Sequence, residues 1–161
     1  MNTMADTKLE PIVKSIEVPC GQEQAFNVFV NEMDTWWPLG KFTTSAMAGA
    51  PAKAIRVEAK KGGTITEISG DDTEYLWGTF LEFDPFGSFA MDFHFGPPDQ
   101  VIEERTRLEV AFTDLGDGKT RVQLTQTGWE GLGEWAADIR GGYDFGWGPI
   151  FEEGYKAACS A

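Results

Sequence analysis

The sequence predicts an α+β domain in which a seven-stranded antiparallel sheet curves around one long C-terminal helix, with two short helices after the first strand. Three observations predict it. Seven short segments carry apolar residues at strand spacing and are bounded by turn residues. No helical pattern separates the last six, so they pair as antiparallel neighbours. The C-terminal segment then switches to a three- and four-residue period, the mark of an amphipathic helix able to cover one sheet face.

The elements follow in order. Ile12 to Val18 alternates apolar and polar residues, and Pro19-Cys20-Gly21 ends it. Gln22 to Val30 reads as a short helix with Ala25, Phe26 and Phe29 on one face, and residues 31–37 add a turn or a second short helix. A mobile stretch rich in Gly, Ala and Thr is expected from Trp36-Trp37-Pro38 to Pro51. Strands are expected at Ile55 to Ala59 and Thr64 to Ser69, joined by the hairpin signal Lys60-Lys61-Gly62-Gly63. Further strands run Glu74 to Phe83, Ser88 to Phe95, Arg105 to Thr113 and Thr120 to Gly128. From 133 to 158, Trp135, Ile139, Tyr143, Trp147, Ile150 or Phe151, Tyr155 and Ala158 form one stripe, so a single helix is expected there. Pro149 lacks the N–H that a helix interior needs, which predicts a kink near it.

Length and composition bound the answer. The 161 residues suit a single domain over 1–161, with its core at about 12–158. A chain of this size buries roughly 70% of its unfolded surface, enough to fold without disulfides or metal. Aromatic residues are abundant, with 6 Trp, 12 Phe and 3 Tyr, and such side chains build cores and line ligand cavities. The net charge of −13 repels phosphate backbones and anionic lipid heads, so neither nucleic acid nor a membrane surface is an expected partner. No apolar run approaches the ~18 residues of a membrane helix. The polar lead-in over residues 1–10 lacks the apolar centre of a signal peptide. Cys20 and Cys159 are the only cysteines, read as reduced thiols of a cytoplasmic protein.

Several motifs fail on context. Gly131-Leu132-Gly133-Glu134-Trp135-Ala136 fits a loose dinucleotide fingerprint, but that unit needs a parallel strand after its helix, and here the helix ends the fold. Gly118-Lys119-Thr120 ends like a phosphate loop, yet Thr113 stands where the first glycine belongs. One His and two distant Cys make no zinc site, so no metal and no cofactor are expected. Phe89, Met91, Phe93 and Phe95 take the core face of their strand, which assigns His94 to the opposite face, away from any cavity.

The same alternation turns two polar side chains inward. Ile65 inward carries Glu67 with it, and Val122 and Leu124 carry Gln126. A carboxylate in an apolar cup is disfavoured in its charged form, and such a group orients a ligand or acts as a base. An amide both donates and accepts. The residues whose phase points inward make the candidate site: Trp37, Phe42, Glu67, Trp77, Met91, Phe93, Gln126, Tyr143 and Trp147.

An ordered set of motifs carries a resemblance over about residues 12–158. It comprises Trp36-Trp37-Pro38, Gly62-Gly63 with Glu67 behind it, and Trp77-Gly78-Thr79-Phe80-Leu81-Glu82-Phe83-Asp84-Pro85. Phe93-His94-Phe95-Gly96, Gly118-Lys119-Thr120-Arg121-Val122, Leu124-Thr125-Gln126-Thr127-Gly128-Trp129 and Tyr143-Asp144-Phe145-Gly146-Trp147 complete it. The chain resembles the START-like, helix-grip superfamily labelled SRPBCC, in the branch homologous to the activator of the heat-shock chaperone ATPase. The resemblance implies a sheet and gripping helix around a hydrophobic cavity. Members bind lipids, hormones and polyketides, and some are cyclases. Similar sequences often carry His at the position of Gln126, and an amide does not titrate near neutral pH, so acid–base work there is not expected. The expected function is therefore binding of a small apolar or aromatic ligand by a monomer or homodimer. The alternatives are an enzyme of cyclase or hydrolase type using Glu67 with a water or Tyr143, and a chaperone-associated regulator.

Overall fold

A computed structural model describes residues 9–100 and 104–160, so the lead-in read over residues 1–10 lies, save for its last two residues, outside the described residues. The chain runs β1 (Ile12–Val18), α1 (Gln22–Asn31), α2 (Met33–Trp36), α3 (Thr44–Met47), β2 (Ala52–Val57), β3 (Thr64–Ser69) and β4 (Glu74–Asp84). It continues with β5 (Ser88–Phe93), β6 (Thr106–Gly116), β7 (Lys119–Thr127), a 3₁₀ segment (Trp129–Trp135), α4 (Ala136–Trp147), a π-helical segment (Gly148–Tyr155) and α5 (Lys156–Cys159). The seven strands make one antiparallel sheet in the order β1-β7-β6-β5-β4-β3-β2. Every link but β1–β7 joins strands consecutive in sequence, which is why helix-free connections suffice.

The inner face is the core. Leu108, Val110 and Phe112 of β6 alternate inward opposite Val122, Leu124 and Gln126 of β7. Phe26 and Phe29 of α1 pack edge-on against Phe89 of β5. Each such fully buried apolar side chain stabilises by roughly 1.5–3 kcal/mol relative to exposure. Tyr155 donates its hydroxyl to the Ala25 carbonyl at 2.7 Å, fastening the C-terminal helix to α1.

Two features of β4 aim side chains inward. The register slips between Ile65 and Thr66, pairing Ile65 with Gly78 but Thr66 with Leu76, so Trp77 is the extra residue of a bulge. A bulge re-aims its side chain, and Trp77 is fully buried. Next to it only glycine fits: a Cβ on Gly78 would stand 1.8 Å from the Asp92 carbonyl oxygen.

Two expectations are corrected. The stretch expected to be mobile contains α3, capped by Thr43, whose hydroxyl accepts the Ala46 N–H at 3.0 Å. Glu67 accepts the N–H groups of Thr44 and Ser45, which leaves this short helix anchored to β3. The C-terminal helix begins at Ala136 rather than 133, because Gly133, with a non-helical backbone at φ 66°, kinks the 3₁₀ segment that runs to Trp135. Around Pro149 the helix widens to π form over Gly148–Tyr155 instead of breaking, one of the ways a helix absorbs a missing N–H.

Candidate functional site

A cleft of about 340 Å³ opens where α4, the segment before and through α3, and the loop after β5 converge. Helix α4 offers Ile139, Gly142, Tyr143 and Gly146 on one face, at the three- and four-residue spacing of its apolar stripe. Phe42 forms the facing wall. Trp37 holds it, donating its indole N–H to the Phe42 carbonyl at 2.6 Å. Gly146 makes room for it, since a Cβ there would already touch the Phe42 ring at 3.5 Å.

The polar end is built by Tyr143 and His94. The Tyr143 oxygen accepts the Phe95 N–H at 2.9 Å and lies 3.0 Å from His94 Nδ1. His94 Nε2 lies 3.0 Å from Gln100 Oε1, an acceptor. With Gln100 Oε1 as acceptor, Nε2 carries the proton and donates to it, while Nδ1 accepts from the Tyr143 hydroxyl, which also lies 3.4 Å from the Phe95 carbonyl oxygen. Burial holds the His94 pKa below its ordinary value, outweighing the hydrogen bond to Gln100 that raises it, with Arg105 adding to the depression. Burial likewise raises the Tyr143 hydroxyl above its ordinary value. At neutral pH the pair is therefore uncharged. It can donate and accept hydrogen bonds without presenting a charge.

His94 corrects the sequence reading. It is 9% exposed and faces the cleft instead of turning away. Strand β5 ends at Phe93, and the Gly96-Pro97-Pro98 turn bends the chain so that strict alternation no longer applies. The proline pair that begins three residues after His94 is the signal that the strand stops early. A second cleft of about 250 Å³ shares His94 and Gln100 with the first and reaches Tyr75 and Arg105, so the hydrogen-bonded His94–Gln100 pair borders both.

Of the nine residues singled out in the sequence, Phe42 and Tyr143 line the larger cleft. Trp37, Glu67, Trp77, Met91, Phe93, Gln126 and Trp147 stand behind it, each at most 4% exposed. They join it through aromatic packing: Trp147 stacks on Tyr143 with centroids 6.0 Å apart, and Trp77 stacks on Phe95 at 4.8 Å. The two inward polar groups are satisfied within this layer. Glu67 accepts from Thr44 N at 2.8 Å, Ser45 N at 2.7 Å and Trp77 Nε1 at 3.0 Å. Gln126 accepts the Trp147 indole N–H at 2.9 Å and donates to Thr106 Oγ1 at 2.9 Å, which in turn donates to the Phe93 carbonyl. The sequence reading missed His94, Phe95, Gln100 and Ile150 as lining residues. Ile150 was on the helical stripe and at the right spacing from Gly146 and Tyr143. Gln100 carried no signal, because only the turn brings it to His94.

Among the described residues, no group of three His, Cys, Asp or Glu stands close enough to hold a metal ion. No described helix is long and apolar enough to cross a membrane.

A curved antiparallel sheet closed by a long C-terminal helix, with two short helices after the first strand, is the helix-grip fold of START-like proteins. Over residues 20–153 the sequence matches the family described as Activator of Hsp90 ATPase homolog 1-like protein, and the chain belongs to that family. No curated protein matches it. Among solved structures it is similar to an anthrahydroquino-Gama-pyrone synthase, Txn09, complexed with SUM, at 29% identity and a TM-score of 0.57, covering 83% of this chain and 86% of that one. It is also similar to CalC, a self-sacrificing resistance protein from Micromonospora echinospora, at 24% identity and a TM-score of 0.68, over 94% and 95% of the two chains. An HSP90 activator from Plasmodium falciparum, PFC0360w, follows at 20% identity and a TM-score of 0.51, over 73% and 71%. The last two likenesses concern the fold.

Proposed function

We propose that this protein binds a small apolar or aromatic molecule in the cleft beside α4, acting as a single domain. The observation that carries the reading is the make-up of the cleft: apolar walls from Phe42, Ile139 and Ile150 around an uncharged Tyr143–His94 hydrogen-bonding pair. Apolar walls supply affinity, and one neutral polar group fixes orientation. The six aromatic and polar candidates behind the wall, with Met91, serve this function by backing Phe42, Phe95 and Tyr143. Two buried free thiols support a reducing, cytoplasmic setting.

Gly142 provides the test. It lines the cleft, and a Cβ built on it meets nothing within 4 Å. Gly142→Leu therefore adds an apolar side chain to the cleft from a position whose Cβ meets no neighbour, and it replaces a poor helix former by a good one. Tryptophan emission of the wild type should shift with flat apolar ligands, since Trp147 and Trp77 stack on the cleft walls. In Gly142→Leu that response should weaken at least ~10-fold in affinity while the urea midpoint stays level or rises. An interior that responds to no ligand of a broad panel refutes the reading.

A second reading, an enzyme acting on a small molecule, draws on the 29% identical neighbour described as a synthase. In that reading Tyr143, bonded to His94, would bind and polarise a substrate oxygen, because Glu67 stands behind the wall with both oxygens engaged. Turnover lost in Tyr143→Phe with ligand affinity retained separates it from simple binding. A third reading, regulation of a chaperone ATPase, follows from the family description alone and is tested by ATP turnover of the chaperone with and without this protein.

A further inference from the structure

The charge inside the cleft differs from the charge of the molecule. The chain carries 26 acidic and 13 basic residues, yet among the described residues no carboxylate lines the larger cleft. Its lining includes one charged side chain, Lys41, adjacent to the Phe42 wall. His94 is kept neutral by burial, and Gln100 and Tyr143 are neutral as well. Among the described residues no carboxylate lies within salt-bridge distance of Lys41, whereas Lys14 and Lys53 are each paired with one. Lys41 is also exposed, so it is held in place neither by packing nor by an ion pair.

An ammonium group beside an apolar wall, with no internal counter-ion, matches a ligand that has a flat apolar body and one anionic group. The negative field of the whole chain acts against such a ligand, but it is screened beyond a Debye length of about 8 Å at physiological ionic strength. Within that distance the local cation decides. Resting on the reading of the cleft as a ligand site, we infer that the preferred ligand is an apolar carboxylate. Its ring system packs against Phe42 and Ile139, and its carboxylate is held by Lys41 at the cleft mouth.

The experiment compares 2-naphthoate with 2-naphthamide, a neutral compound of nearly the same shape, by titration calorimetry at neutral pH and low salt. The wild type should bind the carboxylate at least ~10-fold more tightly than the amide, and added salt should narrow the gap. Lys41→Met should remove the preference by weakening the carboxylate alone, and Lys41→Arg should restore it. Equal affinities in the wild type, or a preference that survives Lys41→Met, overturn the assignment of Lys41 while leaving the cleft as a binding site for neutral ligands. Binding of neither compound overturns this inference, while the reading of the cleft as a ligand site is decided by the broad panel. Lys41 is exposed, so unfolding is not expected, and the unchanged affinity for the amide in Lys41→Met serves as the check.

Discussion

The carboxylate of Glu67 accepts the indole N–H of Trp77 at 3.0 Å, and with the same two oxygens it caps α3 through the N–H groups of Thr44 and Ser45. One buried side chain thus ties β3, the bulge of β4 and the short helix behind Phe42 into a unit. All three partners are N–H donors, which suits a carboxylate because it is an acceptor at both oxygens.

From this follows the behaviour of Glu67→Gln. On sequence grounds the amide is nearly isosteric and tolerable. In the structure it turns one acceptor into a donor facing N–H groups. We expect a loss on the order of 1–3 kcal/mol in urea unfolding, and more for Glu67→Ala. A change of a few tenths would show that water replaces the lost acceptor.

Gln126 links Trp147 of the C-terminal helix to Thr106 of β6. Gln126→Met keeps the volume but strands the indole N–H in the core. Destabilisation of about 1–3 kcal/mol is expected, with Trp147 emission changed in the folded state. Unaltered stability and emission would remove this link from the account of how the helix is held.

His94 makes stability depend on pH. Burial is the largest cause of its depressed pKa, so the unfolded chain binds a proton more readily than the folded one near the ordinary value of 6.5. Stability is then complete above that value and declines as pH falls towards and through the lower folded value. The urea midpoint should hold from about pH 8 to 6.5 and fall towards about pH 5. In His94→Gln the slope in that window should flatten. A slope equal to that of the wild type would assign it to other groups.

Cys20 and Cys159 lie 139 positions apart in sequence, yet both are buried in the core as free thiols. Burial pushes the Cys159 thiol up to about 12 and raises Cys20 as well. Since the thiolate is the reactive form, about one Cys159 in 10⁴ is reactive at pH 8. Ellman's reagent should find no fast thiol in the native protein and two after denaturation. A fast native thiol would show that the C-terminal end of the fold opens readily.

The secondary structure was legible because its signals are local. Val122, Leu124 and Gln126 could be placed inward from alternation alone, and the stripe from Ile139 to Tyr155 located the helix, whereas Trp135, its expected first member, is exposed and lies in the 3₁₀ segment. Alternation failed where a local rule met a non-local cause. At His94 the strand had already ended, and a two-proline turn reset the direction of the side chain. At α3 a stretch of Gly, Ala and Thr has little helix signal of its own, and it is ordered by a carboxylate 22 and 23 residues on from the two N–H groups it accepts.

The sequence by itself determined the order of elements, the antiparallel pairing and the identity of the buried face, because side-chain periodicity is a property of neighbouring residues. Which buried residues meet open space was decided only by the tertiary structure. Trp37, Trp77 and Trp147 have the same inward phase as Phe42 and Tyr143, yet they pack against one another while the latter pair borders the cleft. That division depends on the gap left when α4, the Phe42 segment and the 94–100 turn come together. No single element contains the information, since a cavity is a mismatch of shapes among segments remote in sequence.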